Sequence, residues 1–217
     1  MRTRSARTRR PAHRGSRSRS PTASATTPAP RAPARTAVAA AARTPPAEGP
    51  VAAILNAQRA LRELGGTGDA VLVVAMPFAG GYRIAWVGDA RAYAWHGGMV
   101  RRLTVDHTLA EYFRSRHQPC TPRMEHLVTT SVRTAKPHEI GTSEVVGGGL
   151  LLTSDGVHKV LPPATIDRLL ADPEHGAAAL VETAIAVGGS DNATALFVEP
   201  PEVDLSHVVT QRFPVAA

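Results

Sequence analysis

This 217-residue sequence is poor in several residue types, and each shortage excludes a class of protein. A single cysteine, Cys120, excludes an internal disulfide and fits a reducing compartment, which we expect to be the cytoplasm. No apolar run approaches the roughly 20 residues that a bilayer-spanning helix needs. The arginine-rich start lacks the apolar segment of a secretory signal. We therefore expect no disulfide-stabilised fold and no membrane span.

Acidic residues are almost absent from the first fifty positions, which contain eleven arginines and one acid, Glu48. The other 167 residues contain fourteen basic and seventeen acidic residues. The high isoelectric point therefore belongs to the N-terminal segment alone. Such a segment could neutralise nucleic-acid phosphates, but it has no interleaved aromatic residues and the body is mildly acidic. Nucleic acid is thus not an expected partner; loss of DNA binding on deletion of residues 1–49 would indicate otherwise.

Composition divides the chain into three parts. Residues 1–49 are mostly Arg, Ala, Pro, Thr and Ser, which cannot bury enough apolar surface to offset the entropy of ordering, so we predict disorder there. The Ala-rich piece from Ala37 to Ala42 is too short to form a stable helix alone. Residues 50–200 are predicted to form one domain, and residues 201–217 a C-terminal tail.

Within the domain, hydrophobic spacing predicts a mixture of helices, strands and hairpins. A helix should end at Gly65-Gly66, and Thr108 should cap a second helix with Glu111 three residues later. Residues 117–148 are weakly patterned and predicted to be loops with a short helix near Met124 to Val128. The lack of regular strand–helix alternation favours an α+β layered domain. The predicted strands are Val71–Met76, Tyr82–Val87, Ala92–Trp95, Met99–Leu103, Leu150–Thr153 and Ala193–Val198. Two further helices are predicted at Ala164–Leu170 and Gly176–Val187.

Three aspartates lie where a predicted strand ends or breaks beside a residue that permits a sharp turn. Asp155 follows Leu150 to Ser154 and precedes a glycine, Asp191 precedes Asn192, and Asp89 follows Gly88. Each either caps its turn or ligates a hard divalent cation, which prefers oxygen ligands. Taken together, the three favour the metal.

Four short motifs in a fixed order resemble a known family. Val-Gly-Asp-Ala-Arg-Ala-Tyr at 87–93, Leu-Thr-Val-Asp-His-Thr at 103–108, Leu-Leu-Leu-Thr-Ser-Asp-Gly-Val at 150–157 and Gly-Gly-Ser-Asp-Asn-Ala-Thr at 188–194 are similar to those of the PPM-type metal-dependent serine/threonine protein phosphatases, the protein phosphatase 2C family. The resemblance covers about residues 51–199.

The resemblance implies a sandwich of two antiparallel β-sheets flanked by helices. It implies two Mg²⁺ or Mn²⁺ ions, with Asp155 and Asp191 ligating one of them and Asp89 helping to hold a weaker third ion. The implied chemistry is hydrolysis of phosphoserine or phosphothreonine by metal-activated water. The implied partners are a phosphoprotein substrate or a signalling kinase. A non-catalytic PPM-like signalling or binding module is the alternative.

The sequence also departs from the family. The Asp-Gly-x-Gly segment that supplies the bridging carboxylate has no counterpart, since the first aspartate is Asp69. We therefore expect an N-terminally incomplete domain with impaired activity. Where many members carry an acid four residues after the Ser-Asp-Gly aspartate, this chain has Lys159. If the reading frame is shifted back by one base, the codons of residues 22–27 can encode Asp-Gly-(Ile, Val or Leu)-Gly-His-His. We therefore hypothesise that residues 1 to about 45 are a frame-shifted translation of the missing segment. Sequencing the gene tests this hypothesis.

Other polar residues near these motifs have two interpretations each. Arg91 either pairs with a nearby carboxylate, which we favour, or binds substrate. Asp106 and His107 either form a catalytic pair or, as we favour, are a turn-stabilising aspartate and a surface histidine. His158 either approaches the site or is simply solvated, as loop histidines usually are.

Overall fold

The computed structural model of the protein describes residues 3–6, 32–172, 176–189 and 191–199. Two antiparallel β-sheets pack face to face, and helices cover both outer faces. The five-stranded sheet has the order β1-β8-β7-β4-β5 and the three-stranded sheet the order β2-β3-β6. The strands are β1 (Thr3–Ala6), β2 (Leu72–Phe78), β3 (Gly81–Val87), β4 (Arg91–His96), β5 (Met99–Arg102), β6 (Gly141–Val146), β7 (Gly149–Thr153) and β8 (Ala195–Val198).

Two long helices cover the three-stranded sheet, and two others cover the five-stranded sheet. The first pair is α1 (Ala32–Ala42) and α2 (Gly49–Leu64); the second pair is α5 (Pro163–Ala171) and α6 (Gly176–Ala186). Two shorter helices, α3 (Leu109–Arg114) and α4 (Asp155–His158), lie in the connections. Short 3₁₀ helices occupy Pro46–Glu48, Pro122–His126 and Pro137–Glu139.

The core between the sheets is built from alternate residues of facing strands, as the two-residue period of a strand requires. Tyr82 and Ile84 of β3 meet Ala94 of β4 and Leu150 of β7, and all four are buried. The helices form a separate apolar core on each outer face. Within the described residues, no helix is long and apolar enough to cross a membrane.

The predicted fold class is confirmed, because the described residues form two packed antiparallel sheets with flanking helices. The predicted hairpin between β4 and β5 is present, with His96 paired to Met99. The predicted cap of α3 is present as well: the Thr108 hydroxyl accepts a hydrogen bond from the Glu111 amide, and their heavy atoms are 3.3 Å apart.

The prediction of disorder is wrong for residues 32–49, which form α1, a 3₁₀ turn and the start of α2. Ala37 has no exposed surface, because α1 packs along α2 rather than standing alone. Residues 3–6 also contradict the predicted disorder, since their backbone pairs with β8. The string at 22–27 and the tail at 201–217 lie outside the described residues.

The prediction of loops over residues 117–148 is wrong for residues 141–146, which form strand β6. This strand lies beside β3 at the edge of the three-stranded sheet, with Tyr82 opposite Val145. Of its six residues only Val145 is buried, and Val146 is 76% exposed. An edge strand with so little buried surface has a weak apolar pattern, which is why its sequence reads as a loop.

Candidate metal and phosphate site

The register of three neighbouring strands brings the predicted aspartates to one end of the five-stranded sheet. In that sheet Thr153 pairs with Arg91 on one side and with Ala195 on the other. Asp155 leaves β7 two residues after this row, and Asp89 enters β4 two residues before it. Asp191 precedes β8 by four residues. Because both pairings are antiparallel, these positions emerge from the same end of the sheet.

Asp89 and Asp155 are joined by the side chain of Lys159. The Lys159 ammonium Nζ donates to Asp89 Oδ2 at 2.5 Å and lies 3.4 Å from Asp155 Oδ2. The Asp89 side chain is only 6% exposed, the Lys159 side chain 15% and the Asp155 side chain 32%. Gly88 makes the entry to Asp89 possible, because its φ of +89° is a conformation that other residues rarely adopt.

Asp155 and Asp191 lie on adjacent turns that are hydrogen-bonded to each other. The Ser154 hydroxyl donates to the Asn192 carbonyl at 3.1 Å and accepts from the Thr194 amide at 2.9 Å. A Cβ added to Gly156 would lie 2.6 Å from that same carbonyl oxygen, so the two turns are in direct contact. Asp191 is exposed, and its Oδ1 accepts from the Asn192 amide at 2.6 Å.

The described residues do not fit a two-ion metal centre. A magnesium or manganese pair needs several oxygen ligands, including carboxylates that face the ions. Here two of the three aspartates share one internal ammonium group. No group of three or more His, Cys, Asp or Glu side chains in the described part of the chain is arranged to hold a metal. The assignment of Asp89, Asp155 and Asp191 as metal ligands stays a prediction.

Asp106 is the centre of a second, buried charge cluster beside this site. Its carboxylate accepts from Arg91 Nε at 3.0 Å, from an Arg91 terminal nitrogen at 2.6 Å and from an Arg102 terminal nitrogen at 2.5 Å. Burial, the largest effect, raises the pKa of Asp106, but the hydrogen bonds and charges of Arg91 and then Arg102 outweigh it and the pKa is lowered. Asp106 therefore stays ionised, and Arg91 has the pairing role predicted for it.

The two histidines near the site are less accessible than predicted. His107 is half-buried rather than on the surface: its Nδ1 accepts from the Gly88 amide at 3.3 Å, and its ring lies 6.4 Å from that of Trp86. His158 is not solvated, since it is only 6% exposed and its Nδ1 lies 2.9 Å from the Thr153 hydroxyl. Burial lowers the pKa of His158 to about 3, helped by the charge of Arg91. Both rings therefore help to pack the site as neutral groups.

Sequence reasoning noted Lys159 as a departure from the family but did not place its ammonium between two aspartates. The available signal was its spacing: four residues after Asp155, a side chain on one turn of helix points to the same side. The contact between Asp89 and Lys159 could not be predicted from spacing, because Asp89 is brought to Lys159 only by the pairing of β4 with β7.

Comparison with known proteins agrees with this geometry. No protein-family model matches the chain. The serine/threonine phosphatase Stp of Listeria innocua is 30% identical over 148 residues, covering 63% of this chain and 58% of the relative. Stp of Listeria monocytogenes matches to the same extent. The chain thus spans less than two thirds of the length of these relatives.

Solved structures show the same fold. The PPM phosphatase MsPP of Mycobacterium smegmatis, in complex with cacodylate, is 26% identical with a TM-score of 0.63, covering 78% of this chain and 80% of that one. The catalytic domain of the phosphatase PstP, in complex with two manganese ions, is 23% identical with a TM-score of 0.65, covering 77% and 80%. At that identity the second comparison supports the fold alone.

The sandwich of two antiparallel sheets, with helices on both outer faces, is a PPM phosphatase-like fold. Together with the Stp relatives and the MsPP structure, this fold shows that the chain resembles the PPM-type serine/threonine phosphatases.

Proposed function

We propose that the chain is a PPM-type phosphatase-like protein whose hydrolysis of phosphoserine and phosphothreonine is impaired in this form. The reaction class follows from the family, and the impairment from the site. The observation that carries it is the Lys159 ammonium, which holds Asp89 and Asp155. With one oxygen of each carboxylate engaged by the same ammonium, too few oxygen ligands remain for the Mg²⁺ or Mn²⁺ pair that activates water in this family.

Arg91 supports the same proposal. It is the guanidinium group nearest in sequence to Asp89, and its nitrogens bond to Asp106 and Tyr93. A guanidinium so engaged serves the packing of β4 and is a poor candidate for gripping a substrate phosphate.

Impaired activity is tested by assaying the purified chain with Mn²⁺ and a phosphothreonine peptide, beside Listeria Stp under identical conditions. We expect a rate at least about a hundredfold below that of Stp, because the metal-activated water is poorly supported. An Asp155→Asn variant controls for a contaminating phosphatase, since its residual rate measures activity that does not depend on this site. A rate equal to that of Stp, lost in the variant, would overturn the proposal.

The second candidate function is a non-catalytic module that binds phosphoproteins in the cytoplasm, including a signalling kinase. It is favoured by the same observation, because a PPM surface that no longer hydrolyses can still hold its former substrate. Fluorescence anisotropy with a phosphothreonine peptide tests it, and the identical unphosphorylated peptide is the matched control. Equal affinity for the two peptides would exclude this candidate.

A further inference from the structure

We propose that the Lys159 ammonium is a built-in cation that takes the place of a metal ion between Asp89 and Asp155. This inference deepens the proposed function and rests on its family assignment, which implies a metal beside Asp89. The structure instead places a protein cation between the two carboxylates, at 2.5 Å from one and 3.4 Å from the other.

The position requires a positive charge. The Asp89 side chain is 94% buried by the fold, and a carboxylate withdrawn from water is very unfavourable unless it is paired. In a metal-binding relative a divalent ion can supply that charge. Here Lys159 supplies it permanently, with no dependence on the metal concentration in the medium.

The fold fixes Lys159 in this place. Its amide donates to the Asp155 carbonyl at 3.0 Å, which closes the single turn of α4. The turn itself is anchored, since Gly156 lies so close to the backbone of Asn192 and Ala193 that an added Cβ would clash with it, and Val157 has no exposed surface. The ammonium therefore projects from the same turn that carries Asp155, and it reaches across to β4.

The ammonium and a divalent ion exclude each other at this position. Mg²⁺ requires oxygen atoms at about 2.0–2.1 Å in near-octahedral geometry. The Nζ atom already occupies the space next to Asp89 Oδ2, and the like charges of an ammonium and a dication repel strongly at such a distance. Wild-type protein should thus bind no divalent ion between Asp89 and Asp155.

The binding test counts Mn²⁺ ions per chain by electron paramagnetic resonance, which reports free Mn²⁺ directly. Lys159→Asp should bind one ion more than wild type, because it removes the ammonium and adds an oxygen ligand. Lys136→Asp is the matched control: Lys136 is the only other lysine, it is exposed, and its substitution makes the same charge change. An unchanged count in Lys159→Asp, or an equal gain in Lys136→Asp, would overturn the inference.

A second test needs no variant and so does not depend on folding of the mutant. Reductive methylation followed by mass spectrometry follows both lysines of the wild-type chain separately. Lys136 should react quickly, and Lys159 should stay protected both in a chelator and in millimolar Mn²⁺. Faster methylation of Lys159 in Mn²⁺ would mean that the ion displaces the ammonium, which contradicts the inference.

These measurements distinguish the inference from the proposed function. A fully active wild-type chain with a protected Lys159 would sink the proposed impairment and leave the built-in cation standing. An inactive chain in which Mn²⁺ exposes Lys159 would support the proposed impairment and contradict the built-in cation.

Discussion

Asp106 shows what a single buried carboxylate contributes to this fold. Its side chain is 2% exposed and binds Arg91, on β4, and Arg102, on β5. Removing the charge would leave two partly buried guanidinium groups without their counter-ion, which is the costly way to break a buried pair.

We therefore predict that Asp106→Asn lowers the free energy of unfolding by about 3 kcal/mol, measured by urea denaturation at pH 7. The matched control is Glu144→Gln, because Glu144 pairs with Arg83 on the surface, where the two side chains are 60% and 56% exposed. That variant should lose less than about 1 kcal/mol. Equal losses in the two variants would mean that the buried cluster has no special role.

His158 links the stability of the site to pH. Its pKa is lowered to about 3 by burial and then by the charge of Arg91, whereas an imidazole in the unfolded chain titrates near about 6.5. Between these values the unfolded chain binds a proton that the folded chain excludes. Stability is therefore fully present above pH 6.5 and declines as the pH falls toward 3, by about 1.4 kcal/mol for each pH unit.

We predict that lowering the pH from 7 to 5 costs wild-type protein about 2 kcal/mol through His158, measured by urea unfolding at both values. His107 adds a loss in the same direction, because burial also lowers its pKa. His158→Gln should therefore reduce the loss without abolishing it. His138→Gln, at an exposed position, controls for removal of one imidazole. The same pH dependence in His158→Gln and wild type would refute the prediction.

At the scale of elements, the contact between α4 and the turn before β8 holds Asp155 beside Asp191. Gly156 permits this contact, since a Cβ there would lie 2.6 Å from the Asn192 carbonyl oxygen and 2.9 Å from its carbon. These are backbone atoms, so a larger residue can fit only if one of the two elements moves.

We predict that Gly156→Ala separates the two turns and costs about 2 kcal/mol. Hydrogen exchange should detect the separation of the two turns, because the Thr194 amide donates to the Ser154 hydroxyl and would lose its protection. Gly66→Ala is the control: Gly66 has a φ of +68° and no atom within 4 Å of an added Cβ, so it tests backbone strain alone. Full protection of the Thr194 amide in Gly156→Ala would contradict the prediction.

The same elements show how far sequence reasoning reaches. Strands β2 and β7 contain continuous apolar runs, and α2 has helical spacing with a terminal Gly-Gly, so local patterns were sufficient to predict them. The three aspartates were found because each follows or precedes a recognisable strand. Their meeting at one end was predicted only through the family, because it depends on strand order, which a local pattern does not contain.

Two helices were missed for different physical reasons. Helix α1 is poor in large apolar residues, and its alanines become buried only because α2 lies against them. Helix α4 is four residues long, too short for periodicity to show, yet it positions Lys159. In both cases the stabilising contacts are tertiary, so the local sequence pattern of the helix does not contain them.

At the scale of the whole molecule, α1 completes the outer helical layer on the three-stranded sheet. Ala37 of α1 and Ala53 and Ala57 of α2 have no exposed surface and belong to one apolar core, which continues to Leu72 and Met76 of β2. Residues that looked like a dispensable tail from composition are thus part of the domain.

Two N-terminal deletions test this directly. Removing residues 1–31 keeps α1, whereas removing residues 1–44 takes it away; β1 is absent from both chains, so their difference isolates the helix. We predict that the shorter chain loses about 3 kcal/mol and melts roughly 6–12 °C lower by circular dichroism, because the α2 face it exposes is apolar. Light scattering should show that it self-associates through that face. If the two chains melt at the same temperature as monomers, α1 contributes nothing to the core, as the composition of residues 1–49 alone suggested.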